Sequence, residues 1–156
     1  MARQPLNSLS SLSEFEHVFV YGTLKRGQCR ETCWPKPPRL VRGAWTPGKL
    51  VDLGPYPALL AGDDRVLGEL WSFAAEDIAL VLAVLDQVEV TNQPGVPNEY
   101  DRVQVRVTLG DGNTVIASTY RYSRREDALR AKLLQPTEII DGYHYVVWPS
   151  RPQAVD

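Results

Sequence analysis

The stretch Val18–Gln28, VFVYGTLKRGQ, carries an apolar run into a turn that contains two glycines. His17–Tyr21 is rich in Val and aromatic residues and is bounded by Gly22, which predicts a buried strand. The glycine spacing approaches the phosphate-binding pattern G-x-x-x-x-G-K-[ST], but Gln28 and Cys29 stand where that pattern needs Lys and Ser or Thr. A glycine directly after a strand can leave backbone N–H groups facing a cavity, where they bind an anion. The same turn is also compatible with an ordinary strand end.

The composition of the chain limits the classes of protein to which it can belong. The chain has 156 residues, which favours one domain, and 44% of them are hydrophobic. Its net charge is −2 and it has no basic run, so we expect no nucleic-acid partner. No apolar stretch approaches the ~20 residues that a membrane helix needs, so we expect no membrane partner. We favour a monomer as the oligomeric state.

The ends of the chain differ from its centre. Residues 1–15 are Ser-rich without periodicity and predict a flexible leader, residues 16–149 a single domain, and residues 150–156 a loose tail. The leader lacks a continuous apolar region, which argues against a secretory signal and favours a cytoplasmic location. Cys29 and Cys33 are the only cysteines, and two thiols alone cannot complete a structural zinc site. We interpret them as reduced thiols in a loop, with a disulfide between them left open.

Two segments have clear periodicity. In Ala75–Glu89, apolar residues recur at helical spacing and predict a helix. Apolar and polar residues alternate in Arg102–Leu109, and Asp111-Gly112 then forms a turn before Thr114–Tyr122, which predicts a hairpin. Weaker patterns predict an irregular loop at Gln28–Pro38, one or two strands within Leu40–Leu53 around a turn at Thr46–Gly48, and a second turn at Gly54–Pro57. Further strands are predicted at Arg65–Phe73 and Tyr143–Trp148. The capping box Ser123–Glu126 predicts the start of a helix that runs to about Leu134. Strands dominate, so the sequence predicts an α+β fold with a small, mostly antiparallel, curved or barrel-like sheet and flanking helices.

Glu89 is the carboxylate that stands out. The chain has only two histidines, and both His17 and His144 fit a surface or half-buried strand position better than the role of a base. If the helix persists to Glu89, its carboxyl shares a face with Leu82 and Leu85. Desolvation on that face would raise its pKa and make it a proton acceptor and donor near neutral pH. If the helix ends near residue 86 instead, Glu89 points into water.

Six motifs in this order resemble the γ-glutamylcyclotransferase-like family, also called AIG2-like. They are VFVYGTLKRGQ at Val18–Gln28, GPYP at Gly54–Pro57, GELW at Gly68–Trp71, LDQVE at Leu85–Glu89, a Tyr-x-Arg at Tyr100–Arg102, and YRYSR at Tyr120–Arg124. Together they cover about residues 19–124. The opening motif most resembles the γ-glutamylamine cyclotransferase branch.

The resemblance implies a small mixed barrel, a cavity at one end and a reaction without water, cofactor or metal. In this family the α-amine of a γ-glutamyl amide attacks the γ-carbonyl, which releases 5-oxoproline and a free amine or amino acid, an acyl transfer within the substrate of the lyase type. The resemblance implies Glu89 as the general acid and base. It implies Tyr21, Gly22, Thr23 and Leu24 as the loop that binds the glutamyl group, and Tyr100 and Tyr122 as pocket tyrosines.

Two other functions stay open at the level of sequence. One is a non-catalytic module on the same fold that binds a small anion. The other is an interaction protein whose Ser-rich leader docks a partner. Two departures from the family pattern affect the pocket: the loop Val90–Asn98 is longer than expected, and Val90 stands where a small residue often follows the glutamate.

Overall fold

The computed structural model describes residues 14–149. The predicted tail, residues 150–156, and residues 1–13 of the predicted leader lie outside this range. The elements in chain order are β1 (Phe15–Val20), a one-turn 3₁₀ helix (Glu31–Cys33), β2 (Leu40–Asp52), β3 (Pro57–Ala74), α1 (Ile78–Val88), β4 (Tyr100–Leu109), β5 (Thr114–Tyr122), α2 (Arg125–Leu129), β6 (Lys132–Leu133), β7 (Glu138–Ile140) and β8 (Tyr143–Val146).

Five of these strands close into a barrel. They pair in the order β2–β4–β5–β1–β3, and β2 also pairs along its length with β3, which completes the ring. The pairing of β1 with β5 is parallel, whereas the other four pairings of the ring are antiparallel. The remaining strands extend the sheet, since β6 pairs with β2 and the β7–β8 hairpin attaches to β3. The predicted mixed, mostly antiparallel barrel with few helices is therefore confirmed.

Strand β1 connects the barrel interior to helix α1. Its alternation places Phe19, followed by Tyr21, in the cluster that fills the barrel. Val18 and Val20 belong to a second buried cluster, which also contains Val81 and Leu85 of α1 and Trp71 of β3. The alternate side chains on the outer face of the strand thus pack against the apolar face of the helix, which repeats every 3.6 residues. This packing brings the C-terminal end of α1 beside the end of β1.

Strand β2 corrects one prediction. The sequence Thr46-Pro47-Gly48 predicted a turn, but β2 runs unbroken through it from Leu40 to Asp52. The register against β3 shifts between Gly48 and Lys49, so the irregularity is a bulge rather than a reversal. Pro and Gly are tolerated in a strand at such a position because a bulge already interrupts the hydrogen-bond ladder.

The region after β5 corrects a second prediction. Helix α2 spans only Arg125–Leu129, its N-cap is Arg124, and no side chain caps it, so the predicted Ser123 capping box is wrong. The helix does not reach Leu134, because Lys132–Leu133 pair with β2 and the Leu134 amide donates to the Leu50 carbonyl at 2.9 Å. Pairing with a long neighbouring strand here prevails over a local helix signal.

Histidine 17 is the third correction. It was expected at the surface or half-buried, but it is 7% exposed, and its Nδ1 lies 2.8 Å from the Ser72 hydroxyl on the neighbouring strand β3. His144 in β8 is exposed, as expected. In residues 14–149, no helix is long and apolar enough to cross a membrane.

Candidate active site

A cavity lies where β1 ends. It encloses about 350 Å³ of free space, part of it open to solvent. Its lining consists of Phe19, Val20, Tyr21, Gly22, Thr23, Leu24, Arg30, Tyr56, Pro57, Glu89, Tyr100 and Tyr120.

The loop after β1 folds back on itself through its carbonyl groups. The carbonyls of Gly22 and Thr23 accept from the amides of Lys25 (3.1 Å) and Arg30 (2.8 Å). The Leu24 carbonyl accepts from the Trp34 indole N–H at 3.0 Å. Among the hydrogen bonds within residues 14–149, none uses the amides of Gly22, Thr23 or Leu24 as donor. Three consecutive residues of the cavity lining thus have amides without a partner in the described part of the chain, and successive free amides can bind an anion.

Gly22 is required by a close approach. A Cβ at this position would lie 2.8 Å from both Cδ and Cγ of Pro57, which opens β3. A proline ring cannot swing aside as the end of a flexible side chain can. The absence of a side chain at Gly22 therefore lets the loop pack against the start of β3 and close the cavity.

The end of α1 fixes Glu89. This residue is the C-cap of the helix, and its amide donates to the Leu85 carbonyl at 2.8 Å. The next two amides bond back into the helix, Val90 to Gln87 at 3.3 Å and Thr91 to Asp86 at 2.8 Å, which is the hydrogen-bond pattern of a Schellman motif. Val90 adopts φ 54°, a left-handed conformation that is strained for a β-branched residue. The helix turn thus persists far enough to place Glu89 in the cavity wall.

The electrostatic environment of Glu89 suits proton transfer. Burial raises its pKa from 4.5 to about 7; the positive charge of Arg30 acts against this rise, and the negative charge of Glu99 adds to it. Glu89 is partly exposed as a residue, and it lies among the residues that line the cavity. A carboxyl with a pKa near 7 can accept and release a proton near neutral pH.

The tyrosine hydroxyls of the cavity brace its walls. Tyr21 donates to the Tyr120 carbonyl, and Tyr100 donates to the Pro57 carbonyl at 2.7 Å. Tyr120 in turn donates to Asp86 of α1 at 2.7 Å. Burial raises the pKa of all three phenols, so they stay neutral. Each hydroxyl proton already has a partner, so none of the three is left to donate to a ligand.

Six of the seven sequence-predicted site residues lie together in the cavity lining: Tyr21, Gly22, Thr23, Leu24, Glu89 and Tyr100. Tyr122 does not line it; its ring packs edge-on against Tyr100, with centroids 5.2 Å apart. Sequence reasoning missed Arg30, Tyr56 and Tyr120. Tyr56 and Tyr120 lie within the quoted motifs GPYP and YRYSR, so a signal existed for them, whereas Arg30 lies in an irregular loop and had none.

The long loop after Glu89 stays outside the cavity lining. It is pinned by its own polar groups, since the Glu99 amide donates to the Val90 carbonyl at 2.9 Å and the Thr91 hydroxyl donates to the Tyr100 carbonyl at 2.6 Å. The residue that follows the loop, Glu99, touches the site indirectly, because its carboxylate accepts a 2.6 Å hydrogen bond from the Tyr56 hydroxyl. The two cysteines near Arg30 are free thiols, Cys29 exposed and Cys33 half-buried.

A closed five-stranded barrel with a carboxyl and unpaired amides in an end cavity defines a class of small barrel proteins with one acid–base site. Residues 18–146 match the model of a family described as γ-glutamyl cyclotransferase, AIG2-like. The chain therefore belongs to this family. It is 34% identical over 110 residues to the γ-L-glutamyl-butirosin B γ-glutamyl cyclotransferase of Niallia circulans, a match over 69% of this chain and 67% of that one.

Solved structures agree on the fold. The crystal structure of an AIG2-like protein from Mus musculus superposes with a TM-score of 0.59 at 25% identity, over 88% of this chain and 99% of the mouse chain. YkqA from Bacillus subtilis gives a TM-score of 0.53 at 23% identity. The match covers 70% of this chain and only 36% of YkqA, so the shared fold is limited to one part of that protein.

Proposed function

We propose that the protein is a γ-glutamyl cyclotransferase that converts a γ-glutamyl amide into 5-oxoproline and a free amine. The observation that carries this proposal is the presence, in one small cavity, of the Glu89 carboxyl and the unpaired amides of Gly22, Thr23 and Leu24. The family membership supports the reaction class.

Glu89 moves the proton in this reaction. The α-ammonium of the substrate must lose a proton before its nitrogen can attack the γ-carbonyl. Glu89 accepts that proton and, once the new carbon–nitrogen bond has formed, donates it to the departing nitrogen as the amide bond breaks. The attacking nitrogen loses a second proton when it becomes the ring amide, and the freed amine takes up this proton and leaves as an ammonium. One carboxyl whose pKa is about 7 serves both steps, because neither protonation state is strongly disfavoured at neutral pH. No water is consumed, since the nucleophile belongs to the substrate.

The loop after β1 receives the negative charge. As the α-amine attacks, the γ-carbonyl oxygen gains charge, and preformed backbone donors stabilise such an oxygen without reorganisation. The amides of Gly22, Thr23 and Leu24 suit either this oxygen or the α-carboxylate of the glutamyl group. The attack is intramolecular, so the cavity contributes mainly by holding the glutamyl chain in a ring-closing shape. Tyr21, Tyr100 and Tyr120 form the walls that keep this shape.

The nature of the departing amine is the finer part of the proposal. The opening motif resembles the γ-glutamylamine branch, and the Niallia circulans relative is named for a γ-glutamyl derivative of butirosin B. Both support an amine as the leaving group. The cavity is small, which suits a glutamyl group inside and an amine portion that extends toward solvent.

A substrate panel tests this function. The purified protein is incubated with γ-glutamyl dipeptides, γ-glutamyl-ε-lysine, simple γ-glutamylamines and glutathione, and 5-oxoproline is measured with time. We expect release from at least one γ-glutamyl amide by the wild type and none above background by Glu89→Gln. If the whole panel stays silent while a γ-glutamyl compound still binds, the protein is instead a binding module on the same fold.

A further inference from the structure

Arg30 is the one positively charged side chain among the described residues that line the cavity. Its backbone is fixed at both ends, since its amide donates to the Thr23 carbonyl at 2.8 Å and its carbonyl accepts from the Cys33 amide at 2.9 Å. The 3₁₀ helix begins directly after it. The guanidinium is therefore presented from an ordered turn that is hydrogen-bonded to the loop of free amides.

The guanidinium of Arg30 takes part in none of the ion pairs between described residues. It lies over the Tyr56 ring, with its central carbon 5.8 Å from the ring centroid. Tyr56 itself is tied through its hydroxyl to Glu99. The charge of Arg30 lowers the pKa of Glu89 without a direct ion pair between the two, so this partly buried guanidinium can still bind a carboxylate of a ligand.

Burial separates the floor of the cavity from its mouth. We use "floor" for the buried lining residues Tyr21, Gly22, Thr23, Leu24, Tyr100 and Tyr120, and "mouth" for the partly exposed Arg30 and Tyr56 together with Glu99. A glutamyl group bound on the floor, with its γ-carbonyl beside Glu89, directs the departing amine toward the mouth. The glutamyl α-carboxylate has the amides of Gly22, Thr23 and Leu24 available, so Arg30 is left for the departing portion.

We propose that Arg30 is a specificity-determining residue that binds a carboxylate on the departing amine. The proposal rests on the function proposed above and deepens it, because it names the substrate class: γ-glutamyl compounds whose amine portion is an amino acid or another carboxylate-bearing amine. A neutral amine of the same size leaves the guanidinium without a partner and is a poorer substrate.

A size-matched pair of substrates tests the proposal. γ-Glutamyl-alanine and γ-glutamyl-alaninamide differ only in that the second replaces the terminal carboxylate by a neutral amide. Hydrogen bonds to charged groups contribute enough for a preference of about 10- to 100-fold in kcat/KM for γ-glutamyl-alanine. In Arg30→Gln we expect this ratio to fall toward one, because the carboxylate substrate loses more activity than its amide counterpart. Arg106→Gln, an exposed arginine of β4 outside the cavity, is the matched control and should keep the ratio.

Two outcomes of the kinetics overturn the proposal. Equal kcat/KM values for both substrates with the wild type would show that the mouth does not bind the terminal carboxylate. Equal losses on both substrates in Arg30→Gln, in a protein whose circular dichroism and melting temperature match the wild type, would show that Arg30 serves the glutamyl group instead.

If neither compound nor any member of the substrate panel releases 5-oxoproline, the proposed function fails and binding decides about Arg30. Calorimetric titration of Glu89→Gln with the same two compounds then serves as the measurement. Tighter binding of γ-glutamyl-alanine that is lost in the double variant Glu89→Gln/Arg30→Gln supports the carboxylate site, and equal binding of both compounds overturns it.

Discussion

The floor and the mouth of the cavity are built in different ways. On the floor, the three tyrosine hydroxyls donate to groups of the protein, and the carbonyls of Gly22, Thr23 and Leu24 accept from it, which leaves the amides of the same loop for a ligand. At the mouth, Arg30 and Glu99 are partly exposed charges, and Tyr56 connects them. A rigid neutral floor suits the part of the substrate that never varies, whereas charges at an open rim suit selection of the part that does.

Of the substitutions that test the roles of these parts of the cavity, Glu89→Gln should lower the reaction rate most. The amide keeps the shape of the side chain but cannot carry the proton, and loss of a general acid or base typically costs about 10²–10⁴-fold in rate. The measurement is kcat for 5-oxoproline release. Glu99→Gln is the matched control at the mouth and should stay within a few-fold of the wild type. If the two variants lose activity equally, the floor and the mouth do not have separate roles.

Glu89 should also make stability depend on pH. Its pKa in the folded protein, about 7, lies above its ordinary value of 4.5, so between these pH values the folded state binds more protons than the unfolded state. Stability is therefore lost as the pH rises through this window. Relative to wild type, Glu89→Gln should gain about 2–3 kcal/mol between pH 4.5 and pH 8. Urea unfolding of both proteins at the two pH values measures it, and parallel pH dependences would show that the carboxyl is not desolvated.

Gly22→Ala should damage the floor. The new methyl group would lie 2.8 Å from the Pro57 ring, and overpacking of this kind typically costs about 1–3 kcal/mol. We expect a lower melting temperature together with a lower kcat/KM, because the loop of free amides must move. Gly43→Ala in β2 is the control, since nothing lies within 4 Å of its added Cβ. Unchanged kinetics in Gly22→Ala would mean that the amides do not contact substrate.

Val90→Gly should stabilise the helix end. Glycine adopts the left-handed conformation that Val90 holds at φ 54° without steric cost, so relief of strain should add about 1 kcal/mol to the free energy of unfolding. A denaturation midpoint measured beside wild type tests this. A decrease would indicate that the packing of the Val90 side chain outweighs its strain.

The smallest expected effect is the shift of the Glu89 pKa caused by the two charged residues at the mouth. Arg30 lowers the pKa of Glu89 and Glu99 raises it. The acid limb of the kcat/KM profile should therefore move to higher pH in Arg30→Gln and to lower pH in Glu99→Gln, each by about one unit or less. Profiles that shift in the same direction would contradict the view of the mouth as two opposed charges around one carboxyl.

The sequence alone predicted the elements whose signals are local. Alternation and Asp111-Gly112 predicted the β4–β5 hairpin, and helical spacing predicted α1 but left open whether Glu89 faces inward. The family motifs predicted the floor residues other than Tyr120. Local signals suffice there because strand alternation and helix periodicity depend only on near neighbours along the chain.

Only the tertiary structure decided the closure of the barrel and the makeup of the mouth. The closing β2–β3 ladder runs straight through a local turn signal, and pairing with β2 ends the predicted helix before Leu134. Arg30 lines the cavity from a loop that bonds back to the Thr23 carbonyl, and Tyr120 rather than Tyr122 lies in the lining. These features depend on contacts between residues far apart in sequence, and no short pattern in the chain encodes them.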